Sequence, residues 1–434
     1  MAGAFSFLSR GGRIALDSRA RKLTLLGLVL LLSLAYGAIS IRICVAAYAS
    51  AKPDLASLQS AVRLDPGNAQ YQHQLGRFYF LVRQDATSAL RAYQSALQLN
   101  PHAAQYWLSL AAVYSFLDQS ELQKQALQRA IQADPRTPDV AWDAANFFLV
   151  RGENDAALRE FRVVMESDPY LPPAALAQCW RVRPDADALL RDIVPPSAAV
   201  HEAFLELLLS RKETIAAAKV WAHLIELRQP MEPRQTFEYI HYLIEQQQVE
   251  QARRVWQQAA PLSGLSAYIP SSDNLVVNPD FSLEVLNGGF DWLYQKQPDV
   301  TLALDPTDYH GGHRSLAIQF DGQAVSDAGI RQLIPVQPNT TYDFSAYFKA
   351  TDMQGSGGPR FAIQDFYTEK EYFTSDDLKD ADFWKPVSAQ FTTGPETTLL
   401  LLHIERFPQG SPIRGQLGVD DIRLVQARSL AGEP

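Results

Sequence analysis

The chain has 434 residues, room for two or three domains. With 47% hydrophobic and 20% charged residues it has the make-up of globular material, which excludes a wholly disordered chain. The net charge of −9 is concentrated late: residues 274–426 hold 21 acidic and 11 basic side chains, a net of −10 that repels phosphate backbones and excludes nucleic acid as a partner.

Residues 1–22 form a basic segment, with Arg10, Arg13, Arg19, Arg21 and Lys22 opposed only by Asp17. Leu23 to Ile41 follows, nineteen residues without a charge. At about 1.5 Å per residue this nearly matches the hydrocarbon thickness of a bilayer, and residues 23–49 are read as one transmembrane helix. Positive charge stays cytoplasmic. The expected location is therefore a bacterial inner membrane, single pass, with a cytoplasmic N-terminus and a periplasmic bulk. A cleaved signal peptide is the other reading, because Ala47-Tyr48-Ala49 has the small-x-small form of a cleavage site. Cys44 and Cys179 are too few for a thiolate zinc site and are read as free thiols.

Residues 53–261 read as a helical repeat array. Asp65-Pro66, Asn100-Pro101, Asp134-Pro135 and Asp168-Pro169 place their prolines 35, 34 and 34 residues apart. Small and large residues recur between them, most clearly Ala144, Ala145, Phe148, Gly152, Ala157 and Phe161. These residues resemble the tetratricopeptide repeat family over Gly67 to Pro169. Asp54 to Pro66 reads as the second helix of an incomplete unit. After a proline-rich stretch, Leu171 to Pro196, two further hairpins are expected, since Phe204, Leu208, Ala217 and Trp221 are echoed 35 residues on by Tyr239, Leu243, Ala252 and Trp256.

The resemblance implies a concave surface for a protein partner. Its candidate positions are His73, Arg77, Asp139, Trp142 and Asn146. They lack the paired Lys and Asn with which some family members clamp a C-terminal carboxylate. A rigid spacer is the alternative use of such an array.

Residues 262–273 read as a linker. From Asn274 the apolar period becomes two, and seven candidate strands over 274–426 predict an all-β sandwich or jelly roll, with 427–434 as a tail. Asn274 to Phe281, Gly289 to Trp292, His310 to Leu316, Trp384 and Gly418 to Leu424 follow in an order that resembles the carbohydrate-binding jelly rolls of xylanases and glucanases. The resemblance implies buried structural roles for Trp292 and Trp384. The glycan candidates are Tyr347, Lys349, Gln364, Tyr367, His403 and Glu405. Related modules hold a structural calcium near the join of the first and last strands, which makes Asp420 and Asp280 the metal candidates. Ser282 stands where family members carry an acid. Val419 and Asp421 are expected on one face of the closing strand, Asp420 and Ile422 on the other.

There is no nucleophile elbow, phosphate loop or paired-His zinc helix, and no enzyme is expected. The whole reads as a multidomain protein: one transmembrane helix, an all-α solenoid and an all-β sandwich. The function read from it is a non-catalytic scaffold or adaptor in envelope polysaccharide assembly or export. The alternative is a protein–protein interaction module whose sandwich binds no sugar.

Overall fold

The computed structural model describes residues 19–427; Arg10, Arg13 and Asp17 of the basic segment, and the tail beyond Ala427, lie outside the described residues. Fourteen α-helices precede two antiparallel sheets among the described residues. The chain divides into two compact units, one up to Pro184 and one from Asp185 on.

In the first unit, α1 (Arg19–Ser50) is one unbroken helix, long and apolar enough to cross a membrane or to act as a signal sequence. The helices α2 (Leu55–Leu64), α3 (Ala69–Leu81), α4 (Ala86–Leu99), α5 (Ala104–Phe116), α6 (Ser120–Ala133), α7 (Pro138–Val150) and α8 (Asn154–Ser167) follow, and α9 (Pro172–Val182) closes the unit. The starts of α3, α5 and α7 repeat the 35- and 34-residue spacing of the sequence. The Asp/Asn-Pro steps show why. Proline cannot continue a helix, and the preceding side chain accepts the amide two residues on: Asn100 from His102 N, Asp134 from Arg136 N, Asp168 from Tyr170 N. Small residues set the spacing within hairpins. Ala89, Ala96, Ala130, Ala144, Ala145 and Ala157 are buried, and a Cβ on Gly76 would fall 2.6 Å from the Tyr93 ring.

The second unit begins with α10 (Ala186–Asp192), so the proline-rich stretch holds helices at both its ends; Pro172 and Pro173 sit in the first turn of α9, where a missing N–H costs little. Two hairpins follow, α11 (Ala198–Ser210) with α12 (Thr214–Glu226) and α13 (Pro233–Glu245) with α14 (Val249–Ala259). Segment 262–273 contains a 3-10 turn at Ser266–Tyr268. The indole of Trp256 donates to Tyr268 O at 2.9 Å, and the buried Tyr268 donates to Glu284 O at 2.8 Å. The Phe237 ring leaves no space for a side chain at Gly288, and a Cβ on Gly289 would stand 3.2 Å from the Trp256 ring and 3.3 Å from the Phe237 ring. The last hairpin and the sandwich are thus packed together.

The sandwich has strands β1 (Leu293–Tyr294), β2 (Val300–Asp305), β3 (Ser315–Val325), β4 (Asp327–Pro335), β5 (Thr341–Gly355), β6 (Gly358–Asp365), β7 (Glu371–Thr374), β8 (Ala381–Thr392), β9 (Leu399–Phe407) and β10 (Ser411–Gln426). Their orders are β1-β4-β9-β6-β7 and β2-β3-β10-β5-β8. Between the sheets lies one core that includes Phe281, Trp292, Phe320, Phe344, Leu402 and Ile422. The closing strand departs from simple alternation. A bulge between Asp420 and Arg423, with Asp421 at φ 51°, puts Val419 and Ile422 together in the core, while Asp420 shares the outer face with its partner Tyr347 and is buried beneath His310 and Gly311. An extra residue in a strand resets which face follows.

Candidate functional site

The six glycan candidates fall on two opposite faces. Tyr347 and Lys349 lie on the outer side of the β2-β3-β10-β5-β8 sheet and are already engaged. The His310 ring stacks on Tyr347 with centroids 3.5 Å apart, and His310 Nδ1 donates to Asp421 Oδ2 at 3.0 Å. Lys349 Nζ donates to Asp308 Oδ2 at 2.6 Å. Trp384, expected in the core, lies on this face instead. A break in the β5–β8 register between Phe348 and Ala350 lifts it outward. Its ring then covers Gly418, where a Cβ would come within 3.1 Å, and its Nε1 donates to Asp308 Oδ1. Trp292 is buried, stacked on Phe281.

The other face is built by β4, β9 and β6. Alternation along β9 directs His403, Glu405 and Phe407 outward, while Leu402 and Ile404 fill the core. Pairing sets Arg331 and Ala362 on either side of His403, Arg360 beside Glu405, and Gln364 beside Leu401. His403 Nδ1 donates to Asp327 Oδ2 at 2.7 Å, and His403 Nε2 is buried without a partner. Arg360 donates to Asp377 Oδ1 at 2.8 Å while its guanidinium lies 4.4 Å from the Phe407 ring centre. Phe407 is 51% exposed and Arg331 is exposed. Sequence reasoning named Gln364, His403 and Glu405 but missed Asp327, Arg331, Arg360 and Phe407. Their alternation was readable, but the pairing of β4, β9 and β6 is not a local property.

One end of this face is occupied. Tyr367, just beyond β6, donates its hydroxyl to Ile244 O at the end of α13 at 2.8 Å, and burial pushes that hydroxyl up to about 12. Tyr367 is therefore a contact between hairpin and sandwich. A cavity of about 790 Å³ lies beside this contact, lined by Gln247, Gln251 and Gln257 on one side and Pro335, Gln337 and Thr398 on the other. The polar strip from Arg331 to Phe407 occupies the opposite end.

The two calcium candidates meet around the loop 310–313, as anchors of backbone. Asp420 is fully buried. Its Oδ2 accepts His310 N at 2.6 Å and Gly311 N at 2.9 Å, and its Oδ1 accepts Asp421 N at 2.7 Å. Burial raises its pKa, against the pull of those donors. Asp280 Oδ1 accepts Ser282 N, and its Oδ2 leaves no space for a Cβ at Gly312. Ser282 Oγ accepts His313 N. The carbonyls of Phe281 and Ser282, the other oxygens at this join, accept Arg314 Nε at 3.1 Å and Nη2 at 2.8 Å, and Arg314 Nη1 donates to Glu284 Oε1 at 2.6 Å. Calcium takes six to eight oxygens. Here every oxygen named except Asp280 Oδ2 accepts an N–H donor, and the residues present do not fit the ion. Among the described residues no group of three or more His, Cys, Asp or Glu is placed to hold a metal.

On the array, His73 is packed between hairpins. Its ring stacks on Tyr106 at 4.6 Å and its Nε2 lies 2.8 Å from Ser109 Oγ. Burial, with Arg77 nearby, lowers its pKa to about 4. Trp142 packs edge-on against Phe161, and Asn146 donates to Trp142 O within its own helix. Arg77 and Asp139 are exposed. Sequence reasoning missed an apolar row at the hairpin tips: Leu81, Val82, Phe116, Leu117 and Val150, all exposed.

A family model described as a carbohydrate binding domain matches residues 273–408. The chain thus carries a C-terminal carbohydrate-binding-module domain, a non-catalytic kind of module. No curated protein matches the chain. Among solved structures, one described as CBM4 is 17% identical, covering 35% of this chain and 99% of its own, with a TM-score of 0.27. The CBM22-1 xylan-binding domain from Paenibacillus barcinonensis Xyn10C is 16% identical, covering 37% of this chain and 98% of its own, with a TM-score of 0.25. TmCBM61, solved in complex with β-1,4-galactotriose, is 17% identical, covering 36% and 100%, with a TM-score of 0.26.

Proposed function

We propose that this protein is a membrane-anchored, non-catalytic adaptor of a bacterial inner membrane, with its bulk in the periplasm. It holds a protein partner on a tetratricopeptide-type array and a glycan on its sandwich, in the assembly or export of an envelope polysaccharide. The observation that carries the glycan reading is the open end of the β4-β9-β6 face. There Arg331, His403, Glu405 and Arg360 set charged and imidazole donors and acceptors in a strip that ends at the exposed Phe407 ring. Fixed polar groups around an apolar platform suit a ring that has hydroxyls on its edge and C–H groups on its face. The match to carbohydrate binding domains over residues 273–408 supports the same ligand class.

Exposed apolar side chains at three successive hairpin tips, Leu81 and Val82, Phe116 and Leu117, and Val150, support the protein partner. The uncharged run after Arg19, Arg21 and Lys22 supports the anchor and its orientation. Affinity electrophoresis of the detergent-purified full chain through gels containing bacterial polysaccharides tests the reading. Retardation by at least one polysaccharide is expected. Unretarded migration through every gel would leave the sandwich as a protein-interaction module.

A further inference from the structure

The incomplete first unit of the array has its missing helix in an unexpected place. The helix α1 continues without a break through Ala47-Tyr48-Ala49 and ends at Ser50; a four-residue turn then leads into α2, whose first amides are capped by Asp54. Its last turns are not free. Ala46 is fully buried and shares one apolar cluster with Ala61 of α2 and Tyr71 of α3, with Ala49, Val62 and Leu64 packed around them. The helix α2 is tied onward by Gln59 Nε2, which donates to Tyr79 OH at 3.1 Å. The end of α1 thus does for α2 what α3 does for α4.

From this we infer that the anchor helix is itself the first helix of the array, so that the array stands directly on the lipid headgroup layer with no stalk between. The inference rests on the reading of α1 as a membrane span. The geometry sets the height. Ala46 lies five residues past Ile41, about 7.5 Å along the helix, and the returning α2 sets Ala61 against it. Leu64 lies three residues beyond Ala61, about 4.5 Å back toward the apolar run. The turn from α2 to α3 at Asp65-Pro66-Gly67 therefore reaches the headgroups. The opposite tips, with Leu81, Val82, Phe116 and Leu117, point away from the bilayer, where a partner can reach them. Cleavage after Ala49 would remove a wall of the first hairpin and expose Ala61 and Tyr71, so processing and a folded first hairpin are incompatible.

The test uses the full chain in its own membranes, with Cys44→Ser to silence the exposed native thiol. Ala46→Cys with Ala61→Cys should give a cross-linked peptide under a mild oxidant, read by mass spectrometry. A fluorophore on Gly67→Cys should be quenched several-fold more by headgroup-labelled lipid than one on Gln119→Cys. An intact, membrane-bound chain with no cross-link and equal quenching at the two sites would overturn the inference while leaving the anchor in place. A chain recovered with Ser50 as its N-terminus would overturn the inference and the spanning reading together.

Discussion

Arg406 carries a guanidinium into the sandwich interior, where it is 1% exposed. Burial lowers its pKa, and it donates to the carbonyls of Ser356 and Phe407 and, at 3.5 Å, to Gly358 O and Pro412 O. It gathers two turns, β5–β6 and β9–β10, at one end of the sheets. Arg406→Ala would leave those carbonyls unpaired and a void behind, and should cost about 2–5 kcal/mol in urea unfolding. A change under about 1 kcal/mol would mean that water replaces the side chain without loss. Asp291 is a second buried ionisable group. Leu286 N donates to its Oδ2, its Oδ1 has no partner, and burial raises its pKa to about 7. The folded chain then keeps a proton that the unfolded chain releases near 3.8. The stability from this group is fully present below about 4, declines as pH rises toward about 7 and is flat beyond. Urea midpoints of the parent should fall relative to Asp291→Asn across that window, and parallel pH profiles would contradict the buried carboxyl.

At the scale of elements, the seven period-two segments fall on β3 to β6 and β8 to β10, because one face of each is apolar, but they stop five residues short of the ends of β3 and β5 and start five residues late in β8 and seven late in β10. The strands β1, β2 and β7 went unread. They are short edge strands, defined by their partners more than by their own pattern. The candidate site was half legible for the same reason. Gln364, His403 and Glu405 were visible as polar residues in apolar strands, but nothing local says that Tyr347 is covered by His310 or that Tyr367 reaches Ile244. Nor did the sequence show that Arg314 would take the carbonyls at the join of the first and last strands. That join is held by a fixed cation, so a chelator should leave the melting temperature of the full chain unchanged, whereas Arg314→Ala should lower it. A chelator-induced drop would restore calcium. In the array, Ala145 is fully buried in α7 beside α8. Ala145→Trp should overpack that contact by on the order of 1–3 kcal/mol, read as an earlier thermal transition. An unchanged transition would place Ala145 away from the hairpin interface.

For the molecule as a whole, composition and periodicity gave the succession of an apolar helix, a helical array and two antiparallel sheets, since each class of element has its own period. The packing of the last hairpin onto the sandwich was hidden in a segment that reads as a linker. Phe237, Trp256 and Tyr268 make that packing, and it leaves only one end of the β4-β9-β6 face open. The central claim is that this open end binds glycan. Calorimetric titration of the detergent-purified full chain with an oligosaccharide cut from a polysaccharide that retards it tests the claim most directly. Glu405→Ala and Arg331→Ala should each weaken binding about tenfold or more, roughly 1.4 kcal/mol, while Arg423→Ala on the opposite face leaves it unchanged. Equal affinity in Glu405→Ala, Arg331→Ala and the parent chain would contradict it.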